Sequence, residues 1–296
     1  MIKLISQRER VVKPILVHVH IYYPEMWKEL KSYLENLAAY PYDLHVTFVE
    51  NHQNIIEDIK LFKPNAKVEI VENRGFDVGP FIHVLNQVNL DDYSYLIKLH
   101  TKRDMFVGCT YNHSINVSGN RWRKYLLSFL EKKNIQKCID NLEYNKKLGM
   151  SGNFRLIVKK ETFDEKALKE CEKYLSKVDL KIKKFAYIGG TMFIARAQLF
   201  NVIKNMNLEL SDFDIPTRKV VTTKAHIFER LLGLIIEAQD CQVKDVYTSK
   251  LKQFLVRFYA PIGLFLYRKK VTSKGKVIIK ICKIPVCFYF KGKSVV

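Results

Sequence analysis

The sequence predicts an α/β fold with a mostly parallel central sheet, followed by a basic C-terminal tail. Three observations predict it. Short apolar runs rich in β-branched residues alternate with helical patterns through the first hundred residues, as parallel strands joined by crossover helices require. The 296-residue length and 48% hydrophobic content supply a large core. Acidic residues stop at 245, while twelve Lys and Arg lie beyond it.

The elements follow in order. Residues 14–21 form a continuous apolar run, read as a buried strand. Residues 24–39 place Met26, Trp27, Leu30, Leu34 and Leu37 at helical spacing, with Pro24 in the first turn. Strands are expected at 44–50, 68–72 and 93–99, with helices at 51–61 and 77–88 between them. Residues 103–119 have no periodicity and read as a loop. Helical patterns resume at 122–139, 161–179 and 225–238; 185–196 reads as one strand containing a double glycine, and 211–223 as a loop. These elements place the main domain at 1–245 and the tail at 246–296.

Composition narrows the function. The formal charge is +20, and the tail carries twelve of the surplus positive charges, leaving eight for the main domain. Such a surplus points to polyanions: nucleic acid, nucleotide phosphates or an anionic membrane. The clustering of base in one segment, without a nucleic-acid-binding module, argues against nucleic acid. Interleaved with Phe, Tyr, Leu and Ile, the tail bases suit an anionic lipid surface; the competing reading packs those apolar residues on the main domain. Six irregularly spaced cysteines without a CxxC pair indicate reduced thiols rather than a disulfide framework or a zinc site. Residues 1–13 lack an apolar signal core, and no apolar run approaches the roughly 20 residues that span a bilayer. The expectation is a cytoplasmic protein, peripheral on the inner face of the cell membrane.

Four segments carry candidate chemistry. Asn73-Arg-Gly-Phe-Asp-Val-Gly79 follows a strand and opens a helix. Gly75 and Gly79 permit close backbone approach, helix-start amides hold phosphate, Arg74 adds charge and Asp77 an acceptor. Lys98-Leu-His-Thr-Lys-Arg103 ends the fourth strand, where open parallel sheets bind ligands. Lys98, His100, Lys102 and Arg103 are all able to meet a phosphate there. Gly189-Gly-Thr191 opens an apolar stretch and suits a ligand on bare backbone. His226, Glu229 and Arg230 share one helical face at i, i+3 and i+4. Each segment also has an ordinary structural reading: a strand–helix turn, a solvated strand end, a β-bulge and a solvated helix face.

In this order, the segments 73–81, 98–102, 189–196 and 226–233 resemble the rhamnan synthesis protein F family, over roughly residues 14–245. That family is linked to the assembly of rhamnose-containing surface polysaccharides and is similar to the GT-A glycosyltransferases. The resemblance implies a GT-A-like, Rossmann-type domain, a nucleotide-sugar donor such as dTDP-rhamnose, and a lipid-linked glycan acceptor. Donor binding then falls to Asn73, Arg74, Gly75, Asp77, Gly79, Lys98, His100, Thr101, Lys102 and Arg103. Gly189, Gly190 and Thr191 lie on the acceptor side. Glu229, with His226, activates the acceptor hydroxyl, Arg230 keeps Glu229 ionised, and Asp212 and Asp214 compete for the catalytic role. Metal-dependent GT-A enzymes carry Asp-x-Asp at the end of the fourth strand, where Mg or Mn bridges the diphosphate. Here His100-Thr-Lys102 takes that place with Asp104 nearby, so either fixed cations replace the ion or Asp104 holds it. The rival reading is a non-catalytic nucleotide-binding or scaffold protein of a polysaccharide assembly complex.

Overall fold

The structure, a computed structural model, describes residues 13–103, 119–159, 165–216, 223–271, 277–282 and 284–288. Strand β1 (Ile15–Ile21) is buried along its whole length, which explains its unbroken apolar run. A 3₁₀ turn (Pro24–Met26) leads into α1 (Trp27–Leu34), which buries Trp27, Leu30 and Leu34 on one stripe. Then come β2 (Tyr42–Phe48), α2 (Gln53–Phe62), β3 (Lys67–Ile70), α3 (Val78–Gln87) and β4 (Tyr95–His100). Every element expected up to residue 100 is present, with ends shifted by a few residues.

The predicted helix at 122–139 is two helices, α4 (Gly119–Leu127) and α5 (Lys132–Tyr144), joined by a 3₁₀ turn (Ser128–Leu130). Glu131 adopts ψ 138° and starts α5 afresh, accepting the amides of Asn134 and Ile135 on its carbonyl. Leu127, Leu130 and Ile135 all reach the core, so the apolar spacing runs across the break and conceals it.

Beyond lie β5 (Leu148–Ser151), β6 (Ile157–Val158), α6 (Glu165–Ser176), β7 (Tyr187–Ile188) and β8 (Phe193–Arg196). The single strand expected at 185–196 is therefore two. Gly190 at φ +83° and Thr191 at φ +50° turn the chain between them. Next are α7 (Asn201–Lys204), α8 (Lys224–Ala238) and β9 (Gln242–Lys244). Gly233 lets α8 lie against β7: a Cβ there would stand 2.3 Å from the Ala186 carbonyl oxygen.

The central sheet has seven strands in the order β3-β2-β1-β4-β8-β5-β9. All its pairings are parallel except the two made by β8. The hydrophobic core extends to Tyr247. The tail continues as α9 (Lys250–Leu266) and a separate antiparallel meander of β10 (Tyr267–Val271), β11 (Val277–Ile281) and β12 (Ile284–Phe288). Among the described residues no helix is long and apolar enough to cross a membrane, and Cys138, Cys171, Cys241 and Cys282 are free thiols.

Candidate functional site

Strands β2 and β3 extend the sheet to one side of β1, and β4 lies on the other. The winding reverses between β1 and β4, and a crevice opens beyond the carboxyl ends of strands at such a point. Two cavities adjoin there. One, of about 270 Å³, is lined by His20, Tyr22, Tyr23, Asn73, Thr101 and Arg103, among others. The second, of about 340 Å³, is lined by Trp122, Gly190, Thr191, His226 and Glu229. Phe76, Asp77, His100 and Lys102 border both. A larger cavity of about 820 Å³, between α5, β9 and the start of α9, contains none of the motif residues.

The shared wall is a buried polar cluster. Asp77 Oδ2 accepts hydrogen bonds from the Lys98 ammonium and the Thr191 hydroxyl, and Thr191 Oγ1 in turn accepts from Lys98 at 2.9 Å. Burial opposes the charge of Asp77, but the Lys98 ammonium and these hydrogen bonds from Lys98 and Thr191 hold its carboxyl well below the usual carboxylate range. Burial lowers Lys98, against the pull of Asp77. Lys98 is fully enclosed and lies 5.4 Å over the Phe81 ring. The sequence suggested Lys98 and Asp77 as ligand groups; the fold spends both on an ion pair with each other.

Around them stand histidines that burial keeps neutral. His18 Nε2 and His20 Nδ1 both lie 3.0 Å from Thr47 Oγ1. Burial pushes His20 down to about 4 and His100 down to about 3, against the pull of Asp77. Among the described residues, neither ring nitrogen of His100 has a hydrogen-bond partner, nor does Trp122 Nε1, although all three atoms are buried. Buried donors and acceptors left unpaired at a cavity wall are where a ligand's polar groups fit.

The glycine turn differs from the expectation. The Gly75 amide donates to the Asp214 carbonyl at 2.9 Å, and the amides of Val78 and Gly79 return to the Gly75 carbonyl. A Cβ on Gly75, at φ +65°, would meet Phe213 at 2.8 Å. Arg74 pairs with Glu72 at 2.7 Å and donates to the Phe213 carbonyl. The cradle expected for phosphate is filled by the protein's own loop at 213–214. Only Asn73, Phe76 and Asp77 of the turn reach the first cavity. Phe76, at φ +54°, is 41% exposed and meets the His226 ring edge-on.

The end of β4 stays open. Thr101 Oγ1 accepts the amides of Tyr22 and Tyr23 at 2.9 Å, fixing the cavity floor. Arg103 pairs with Glu25 at 2.9 Å and lies over the Tyr23 ring. Lys102, half-buried, sits 4.7 Å over the Trp122 ring and has no acidic partner among the described residues.

On the far side, Glu229 Oε1 accepts the Gly190 amide at 2.7 Å, leaving its other oxygen without a described partner. His226 is less available. Its Nδ1 accepts the Thr223 amide at the start of α8 and lies 2.8 Å from the Thr223 hydroxyl. Arg230 turns from Glu229 to the His226 carbonyl at 2.8 Å. Asp214 receives the Lys224 amide on its carboxylate at 3.1 Å, capping α8. Gly189 is held in its turn by a hydrogen bond to the Leu156 carbonyl.

Asp104 lies outside the described residues. Among those described, no group of three or more His, Cys, Asp or Glu side chains is placed to hold a metal ion. Asp77, the carboxylate at the shared wall, is already occupied by Lys98. The described donor set therefore does not suit Mg or Mn, which prefer oxygen ligands.

The motifs did not reveal the cavity-lining roles of His20, Tyr22, Tyr23, Trp122 and Pro216. The alternation His18-Val-His20 at the carboxyl end of β1 was the available signal, since strand ends border such crevices.

The sequence pattern of rhamnan synthesis protein F matches residues 1–241. The chain belongs to that family. Two curated relatives, each named "Uncharacterized protein WxcX", come from Xanthomonas campestris pv. campestris strains B100 and ATCC 33913. Each is 25% identical over 238 residues, covering 78% of this chain and 32% of the relative. The chain thus spans about a third of the length of these relatives. Membership in the rhamnan synthesis protein F family associates it with polysaccharide synthesis.

Proposed function

We propose that this chain is a GT-A-type glycosyltransferase that moves a sugar, rhamnose in the reading the family name favours, from a nucleotide diphosphate to a growing surface polysaccharide or lipopolysaccharide. One observation carries the reading. Two cavities meet at the switch point, with Lys102 on their shared wall and the Glu229 carboxylate in only one of them. A sugar transfer uses such an arrangement directly. The nucleoside lies in the first cavity against Asn73, Tyr22 and Tyr23, and its diphosphate meets Lys102, with Arg103 at the rim. The acceptor hydroxyl enters the second cavity. Its oxygen bonds to the anomeric carbon as that carbon's bond to the diphosphate breaks. Glu229 takes the hydroxyl proton, and Lys102 stabilises the departing negative charge.

The test is calorimetric titration with dTDP and UDP, followed by a transfer assay with dTDP-rhamnose. Binding of a nucleoside diphosphate with sugar transfer supports the proposal, and a chelator is expected to leave both intact. Binding without transfer or hydrolysis for any of a panel of nucleotide sugars would establish the non-catalytic reading instead.

A further inference from the structure

Over its described side chains, residues 250–259, the tail helix α9 has its apolar side facing away from the protein. Leu251, Phe254, Leu255, Phe258 and Tyr259 follow helical spacing and form one stripe, between 40% and 67% exposed. Such spacing ordinarily marks the buried face of a helix. Here the half-buried positions are Gln253 and Val256, on the opposite side, with Gln253 donating to the Thr248 carbonyl. Phe254 and Phe258 stack on each other at 6.3 Å rather than on the core.

Charge specifies what covers the stripe. At about 100° per residue, Lys250 and Arg257 fall along one edge of the stripe and Lys252 along the other; all three are exposed. No acidic residue occurs anywhere from 246 onward. A helix with bases flanking an aromatic stripe fits the boundary between anionic headgroups and acyl chains. At seventeen residues, α9 falls short of a span, so it lies along a surface rather than across it.

We propose that α9 is the docking element of this chain for an anionic phospholipid bilayer. Phe254 and Phe258 insert below the headgroups, while Lys250, Lys252 and Arg257 contact lipid phosphates. This is independent of the chemistry proposed for the cleft.

The experiment is co-sedimentation of the full chain with vesicles of phosphatidylglycerol and phosphatidylcholine, against phosphatidylcholine alone. The expected result is binding to the anionic vesicles only, weakened by salt. The double variant Phe254→Glu/Phe258→Glu should lower that binding at least about tenfold. Its circular dichroism and nucleotide titration should be unchanged, because both side chains lie outside the core. Undiminished vesicle binding by the variant overturns the proposal, as does wild-type protein that ignores both vesicles. A wild-type dimer that the same variant converts to monomer, without lipid binding, assigns the stripe to a second copy and overturns it equally.

Discussion

The glycine turn at 73–79 and the end of β4 at 98–103 looked alike in sequence: both offered phosphate-binding groups beside a strand end. The structure separates them. In the turn, Arg74, Gly75 and Gly79 are taken up by Phe213, Asp214 and the turn's own carbonyls. At the end of β4, Lys102 has no acidic partner and His100 no hydrogen-bond partner among the described residues. Glycine in the turn records a backbone conformation and a close neighbour; at the end of β4, Lys102 and the ring of His100 border both cavities. The first region should therefore respond in stability, and the second in ligand affinity.

The largest effect is expected at the wall between them. His20 and His100 remain neutral when folded but titrate near pH 6.5 when unfolded. Between about pH 6.5 and 4 the unfolded chain binds more protons, so stability falls as pH falls through that window. Each histidine contributes about 1.4 kcal/mol per pH unit there. Urea midpoints should drop sharply between pH 7.5 and 5; flat midpoints would mean that these rings are not enclosed. Next, Gly75→Ala should cost about 3 kcal/mol, from the left-handed backbone and the Phe213 contact. Normal thermal stability in that variant, with lost nucleotide binding, would reverse the comparison.

Smaller effects belong to the open side. Glu229→Gln should lower turnover roughly a hundredfold while sparing dTDP binding, the usual scale for losing a general base. Full turnover in that variant would leave Glu229 as the anchor of the Gly190 turn alone. Lys102→Ala should weaken nucleoside diphosphate binding about tenfold with little change in melting temperature. A large loss of stability would show that Lys102, like Lys98, is engaged in holding the fold together.

The sequence showed the first four strands and three helices because each has its own length and period. It did not show β5, β6 or β9, since two to four residues are too few for a period to register. Nor did it show the split of β7 from β8, because a turn flanked by Ile188 and Met192 keeps the run apolar. The candidate site was legible as a set of segments, of which His100, Lys102 and Glu229 line one cavity. Partner choice was not legible. That Lys98 would neutralise Asp77, that Arg74 would hold the loop at 213, and that Asp214 would cap α8 depend on contacts across 21, 139 and 10 residues.

The reversed direction of β8 has a consequence for how the chain tolerates change. In a wholly parallel sheet, only segments that follow a strand reach the ligand edge. Because β8 runs against β4, with Phe193 opposite Lys98, the segment that precedes it arrives there, and Thr191 meets Asp77 from the opposite direction. The length of that preceding segment is therefore constrained. One residue removed between Ile188 and Phe193 would draw Thr191 about 3.3 Å along the sheet, enough to break its hydrogen bond to Asp77. The turn at 189–192 therefore has a length fixed to the residue.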